Sequence, residues 1–152
     1  MTTWTWLSFE ELTKNQLYAI LALRQEVFVL GQKSFYTDLD YLDQKCMHLL
    51  GMQDHQLAAY LRILPKDLVY PNAVSIGRVV TAPFARGQGI GKQLVDEAMN
   101  YLHQHHQQIP IVISAQLYLE KFYGLYGFQS QGAPYDEDGI LHIEMRKPVS
   151  VT

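Results

Sequence analysis

The stretch Val74 to Lys92, VSIGRVVTAPFARGQGIGK, constrains this chain more than any other. It reads as a buried apolar strand, a short glycine-rich loop and the first turn of a helix. Three glycines fall within five residues: Gly87, Gly89 and Gly91. Without a Cβ they let the backbone approach a ligand closely and adopt positive φ. A helix starting at Gly91 aims its unpaired N–H groups and the positive end of its dipole at the same point. An ordinary strand-to-helix turn is the plain alternative, but so many glycines at a helix start are a destabilising way to build one. Lys92 puts a cation in the first helical turn, which is unfavourable unless an anion is bound there.

Three phosphate-binding patterns compete for this loop. The pattern G-x-x-x-x-G-K-[ST] could end on Gly91 and Lys92, but its first glycine falls on Arg86 and its hydroxyl on Gln93. The dinucleotide pattern G-x-G-x-x-G accepts Gly87 and Gly89, then meets Lys92 where a third glycine is needed. The pattern [QR]-x-x-G-x-[GA] fits Arg86, Gly87, Gln88, Gly89, Ile90 and Gly91 in every place. What remains is a cradle for a pyrophosphate that requires no metal.

The rest of the chain supplies strands and helices around this unit. Thr3 to Ser8 alternates as a short strand with Trp4 and Trp6 on one face. Ser8 with Glu11, or Thr13 with Gln16, can close a capping box. Thr13 to Val29 carries Leu17, Ile20, Leu21, Arg24, Val27 and Phe28 at helical spacing, and Gly31 ends it. Gln32 to Lys45 is irregular and holds Asp38, Asp40 and Asp43, at a spacing unlike a calcium loop. A solvated acidic surface loop and a functional loop both fit it. His48 to Gln53 and Gln56 to Leu64 read as a hairpin turning at Asp54 and His55. Gly91 to Gln107 is a helix with Leu94, Val95, Ala98, Met99 and Leu102 inward. Pro110 to Ala115 is a buried strand, and Gln116 to Tyr126 a short helix with Leu117, Phe122 and Leu125 inward. Phe128 opens a strand, Tyr135 to Gly139 is a turn, and Ile140 to Arg146 is the closing strand.

The element order is β-α-ββ-β-α-β-α-ββ, a mixed α/β (α+β) chain. No repeat or linker divides residues 1–152, so they read as one domain. At 48% hydrophobic the chain has enough apolar residues for a core. A net charge of −3 argues against nonspecific nucleic-acid binding. One cysteine, Cys46, excludes an intrachain disulfide and fits a reducing compartment. No stretch resembles a signal peptide or spans a bilayer, so a cytoplasmic protein is expected, with no membrane partner. His103, His105 and His106 lie near a helix end, but only His103 and His106 share a face and no third ligand appears; no metal is expected. The first and last strands read as short edges, for which a homodimer is one form of cover.

The run GRVVTAP followed by RGQGIG, and the later run Phe122-Tyr123-Gly124-Leu125-Tyr126-Gly127-Phe128, resemble the GNAT superfamily of acetyl-CoA-dependent N-acetyltransferases. The likeness covers nearly the whole chain. The text LRQEVFVL around Arg24, the aspartate loop and the ending LHIEM resemble its ElaA-like branch. The resemblance implies a mostly antiparallel central sheet flanked by helices, with acetyl-CoA as cosubstrate and an amine of a small molecule or peptide as acceptor. Val79, Val80 and Thr81 are then expected to meet the pantetheine arm. Arg86, Gly87, Gln88, Gly89, Ile90, Gly91 and Lys92 are expected to hold the pyrophosphate, and Gln116 to add a polar contact. Tyr123 is expected to protonate the departing thiolate, its phenol being neutral at pH 7. Many relatives carry a glutamate on a central strand; neither Val74 to Thr81 nor Ile111 to Ala115 has a carboxylate. His142 is the substitute base by its titration range, and equally reads as a buried, hydrogen-bonded histidine. Asp40 or Asp43 is expected to attract a cationic amine. A CoA-binding or interaction module without turnover is the other reading of the same fold.

Overall fold

The computed structural model describes residues 1–149. The elements follow the expected order: β1 (Thr3–Ser8), α1 (Lys14–Arg24), β2 (Met47–Gln53), β3 (Gln56–Leu64), β4 (Ser75–Thr81), α2 (Ile90–His105), β5 (Ile111–Gln116), α3 (Glu120–Gly124), β6 (Gln129–Glu137) and β7 (Ile140–Lys147). Both capping boxes form. Ser8 and Glu11 bond reciprocally, and the Thr13 hydroxyl accepts from Gln16 N–H at 3.0 Å to start α1. The β2–β3 turn uses Asp54 and His55 at φ 47° and 66°, the twist a two-residue hairpin needs.

The strands form two sheets. One is antiparallel in the order β1-β2-β3-β4, the other in the order β5-β7-β6. They touch where β4 and β5 begin: Val74 N–H donates to Pro110 O at 3.1 Å, and Val112 N–H donates to Val74 O at 2.9 Å. Beyond that single parallel bridge no ladder joins β4 to β5, and the strands part into a cleft.

Helices cover both faces of the larger sheet. Leu94, Val95, Ala98 and Leu102 of α2 pack on Leu49, Leu61, Ile63 and Val74, and on Ile113, Ile143 and Met145 of the smaller sheet. Ile20 and Leu23 of α1 pack on Leu50, Tyr60 and Val80 from the opposite side. With both faces buried, β3 reads AAYLRIL, a nearly continuous apolar run broken only by Arg62.

The sequence expectations change in four places. The helix expected through Val29 is α-helical only to Arg24, and Gln25–Gly31 winds as a wider π turn. Gly31 permits it, since a Cβ there would stand 3.1 Å from Glu26 O. Leu125, expected inward, is 86% exposed because α3 ends at Gly124. The turn expected at Tyr135 to Gly139 shrinks to Asp138 and Gly139, both left-handed at φ 54° and 86°. The last strand, expected at an edge, is central between β5 and β6; of these two edges β6 carries a bulge between Gln131 and Tyr135 and a proline within it.

Candidate active site

The glycine loop lies at the open end of the cleft. Gly87 and Gly89 hold φ of 82° and 74°, and a Cβ on either would meet nothing within 4 Å. The space beside them is therefore free for a ligand. Gly89 caps α2 without any side-chain hydrogen bond. The first intrahelical bond runs from Gln93 N–H to Gly89 O at 3.2 Å. The N–H groups of Ile90, Gly91 and Lys92 precede it and have no helical acceptor. The Ile90 side chain, 3% exposed, anchors the loop in the core. Gly91 lies beside β4, where a Cβ would stand 3.7 Å from Thr81 Oγ1. Lys92 pairs with Asp96 one turn on at 3.1 Å, and Gln88 accepts from Gln53 at 3.1 Å. Bare glycine backbone and unpaired N–H groups are what a pyrophosphate needs, so the residues fit that group.

A cavity of about 950 Å³ runs from this loop into the cleft. Val79, Val80 and Thr81 line one wall, with Arg86, Gly91 and Lys92 at the loop end. Gln116, Tyr123 and His142 line it from the smaller sheet and α3. Gln116 ends β5 and exchanges 3.4 Å contacts with Gln32 after the π turn. Tyr123 is 5% exposed and sits edge-on to Phe122 and Phe128. Its hydroxyl bonds to no described residue, yet it is not sealed off, and the side chain lines the cavity. Burial pushes its phenol up to about 12. His142 pairs across the sheet with Gln116. Its Nδ1 lies 2.8 Å from Ile140 O and its Nε2 3.2 Å from Glu137 Oε2, so both ring nitrogens face oxygens.

The aspartates face inward to three arginines. Arg24, fully buried, donates through Nε to Asp38 and through Nη1 to Asp43, both at 2.8 Å. Arg62 reaches Asp40 at 2.5 and 2.9 Å and Asp43 at 2.9 Å. Arg78 lies 2.8 Å from Asp38 and 3.4 Å from Asp40. Three guanidiniums meet three carboxylates, which leaves no excess negative charge for a cationic amine. Asp43 is buried within the cluster, and only Asp40 of the two expected acceptor residues lines the cavity. The three aspartates are thus turned in to the arginines, while Phe35, Leu39 and Tyr41 of the same loop stay exposed.

Burial raises the Asp40 carboxyl, but the Arg62 hydrogen bond and charge, the Leu42 N–H and the Arg78 charge outweigh it and pull it down to about 2. A carboxylate held low in the folded state stabilises above its unfolded value and loses that stability as pH falls through the folded value. Asp40 should therefore contribute fully at pH 5 and progressively less from about pH 4 to about pH 2. Urea unfolding of wild type and Asp40→Asn at a series of pH values checks this. The stability gap should close on acidification; a gap that stays constant or widens contradicts the assignment.

The cluster was hidden in the sequence for want of Arg62 and Arg78 as partners. A charge inside the apolar run of β3 was the available signal, as was Arg24 on the inward stripe of α1. Among the described residues no group of three His, Cys, Asp or Glu side chains converges as a metal site, and no helix is long and apolar enough to cross a membrane.

Comparisons with known proteins place this geometry. A family model described as an acetyltransferase (GNAT) domain matches residues 11–149. A UPF0039 protein of Synechocystis sp. is 40% identical over 143 residues, 93% of this chain and 92% of its own. The crystal structure of an acyl-CoA N-acyltransferase from Pseudomonas aeruginosa superposes with a TM-score of 0.92 at 42% identity, covering 97% of this chain and 99% of that one. Escherichia coli ElaA superposes with a TM-score of 0.90 at 38% identity over the same shares.

Proposed function

The chain belongs to the acetyltransferase (GNAT) domain family, in its ElaA-like branch, and from that premise we propose that it transfers an acetyl group from acetyl-CoA directly to a primary amine of a small molecule or peptide. One observation carries the reading. Tyr123, whose hydroxyl bonds to no described residue, lines the same cavity as Arg86, Gly91 and Lys92 of the glycine loop.

Acetyl-CoA supplies the activated thioester. The chain's residues do the rest. Arg86 and the free N–H groups at the start of α2 hold the pyrophosphate. Val79 to Thr81 run alongside the pantetheine arm, with Gln116 across the cleft. The β3–β4 register slips between Tyr60 and Arg62, so Leu61 faces two residues, Arg78 and Val79. Such a bulge frees ladder groups locally, and a β4 N–H there polarises the thioester carbonyl. The amine nitrogen bonds to the carbonyl carbon as the carbon–sulfur bond breaks. Tyr123 donates to the sulfur, and the amine's proton passes to the His142–Glu137 pair, both members of which line the cavity.

Release of free thiol from acetyl-CoA in the presence of a panel of primary amines tests the activity. Amine-dependent release is expected; CoA binding with no turnover across the panel would leave a binding module instead. The cradle has its own test in Gly89→Ala. An alanine at φ 74° is strained by about 1–2 kcal/mol. The free variant loop escapes that strain by relaxing, and CoA must force it back, so CoA should bind up to roughly 5- to 30-fold more weakly by calorimetry. An unchanged Kd would remove the loop from the CoA site.

A further inference from the structure

Arg62 and Arg78 stand on neighbouring strands, with Arg62 opposite Gly77 in the β3–β4 ladder. Arg62 is 2% exposed, and its two terminal nitrogens are taken by Asp40 and Asp43. Its Nε has no partner among the described residues. An N–H of a buried guanidinium left without an acceptor is costly, and in a native structure it marks a place where an acceptor belongs. Gly77, opposite Arg62 in the ladder, packs closely beside it. A Cβ at that glycine would stand 3.1 Å from Leu64 Cδ1 and 3.6 Å from Arg62 Nε, and Gly77, Arg62 and Arg78 all line the cavity.

Arg78 has donors to spare as well. Its Nε lies 2.8 Å from Asp38 Oδ1 without being aimed at it. Its Nη2 donates to Asp38 O at 2.9 Å and reaches Asp40 at 3.4 Å. Its Nη1 has no partner among the described residues. The guanidinium is held in place over the Tyr36 ring, 5.7 Å from its centre, and the side chain is 23% exposed.

The neighbouring acceptors are used up. Asp40 Oδ1 takes Arg62 and the Leu42 N–H, and Oδ2 takes Arg62 and Arg78. This wall of the cavity therefore offers cationic N–H donors and no free carboxylate oxygen, which suits a planar anion that accepts through two oxygens. The facing wall carries His142 and Glu137, the groups assigned to the amine. We infer that the acceptor is an amine that also carries a carboxylate, in the manner of an amino acid, with the carboxylate held by Arg78 and the unpartnered Nε of Arg62. The inference rests on the acetyl-transfer reading for the amine's fate, but the carboxylate site stands on its own geometry.

Matched acceptors test it: lysine against cadaverine, and phenylalanine against phenethylamine, each with acetyl-CoA. The acid of each pair should have the higher kcat/KM, by about tenfold or more given the strength of charge-assisted hydrogen bonds. Arg78→Gln should bring the acid-to-amine ratio near one. Equal or reversed preference in the wild type would overturn the inference and leave acetyl transfer intact. If no amine turns over, acetyl transfer fails and calorimetry on the CoA-loaded protein decides the carboxylate site. N-acetylphenylalanine should then bind at least about tenfold more tightly than N-acetylphenylalaninamide, and Arg78→Gln should abolish the difference. Equal binding, or none, would overturn it.

Discussion

Replacing Tyr123 with phenylalanine is expected to slow single-turnover acetyl transfer by about 10²–10⁴-fold, the usual loss when a positioned acid is removed. The fold should hardly notice. The hydroxyl makes no hydrogen bond to a described residue, and a phenylalanine ring keeps the edge-on packing against Phe122 and Phe128. CoA affinity should also survive, because the deleted atom acts on charge that develops only as the carbon–sulfur bond breaks. The height of the phenol's pKa shapes the role. At about 12 it stays protonated across the working range, so the donor form is always present. The same height makes complete transfer to a thiolate uphill, since a thiol near 8.5 holds its proton less firmly, by roughly 5 kcal/mol. In the proposed mechanism Tyr123 helps chiefly by hydrogen bonding to the developing anion, with the proton following as water returns. Two outcomes are expected together: a large rate loss, and a wild-type rate that shows no alkaline fall from Tyr123 below about pH 11. A variant that transfers at the wild-type rate would take Tyr123 out of the mechanism.

The parts of the molecule that were legible in the sequence are those whose causes are local. The glycine loop speaks through φ and the missing Cβ, properties of single residues. Asp54 with His55, and the two capping boxes, are settled within four residues of themselves. Tyr123 is singled out by the short run from Phe122 to Phe128. The arginine cluster was not, because its bonds join Arg24 to Asp38 across 14 positions and Arg78 to Asp38 across 40. Seen alone, the aspartates looked like a loop waiting for a cation. Strand order is long-range in the same way: β7 closes the sequence but lies between β5 and β6. Leu125 misled for a smaller reason, since the apolar spacing continued after the helix itself had stopped at Gly124. His142 was visible as a residue, while its Glu137 neighbour became visible only once the β6–β7 turn had narrowed to two residues.

Arg24→Met should be the most destabilising substitution in the arginine cluster, at about 3–5 kcal/mol, because it strips two largely buried carboxylates of their fully buried cation. For a chain of this size that is a fall in Tm of roughly 6–20 °C. The argument turns on what is left behind. Asp38 would keep Arg78 and the Tyr36 hydroxyl, and Asp43 would keep Arg62, but each would lose a 2.8 Å charge-assisted bond with no water to replace it. Methionine fills the volume, so a large loss would report charge and hydrogen bonding, with little contribution from a cavity. Arg24→Lys should recover only part of the stability, since an ammonium is one point and cannot serve Asp38 Oδ2, Asp38 O and Asp43 Oδ1 in a fixed plane as the guanidinium does. The double variant Arg24→Met with Asp38→Asn should be less destabilised than the two single losses added together, because the second change removes the charge that the first one stranded. Additive losses would mean that the pair is not coupled, and a stable Arg24→Met protein would mean that the loop holding Tyr36, Asp38 and Asp40 against the cavity is fixed by something other than this arginine.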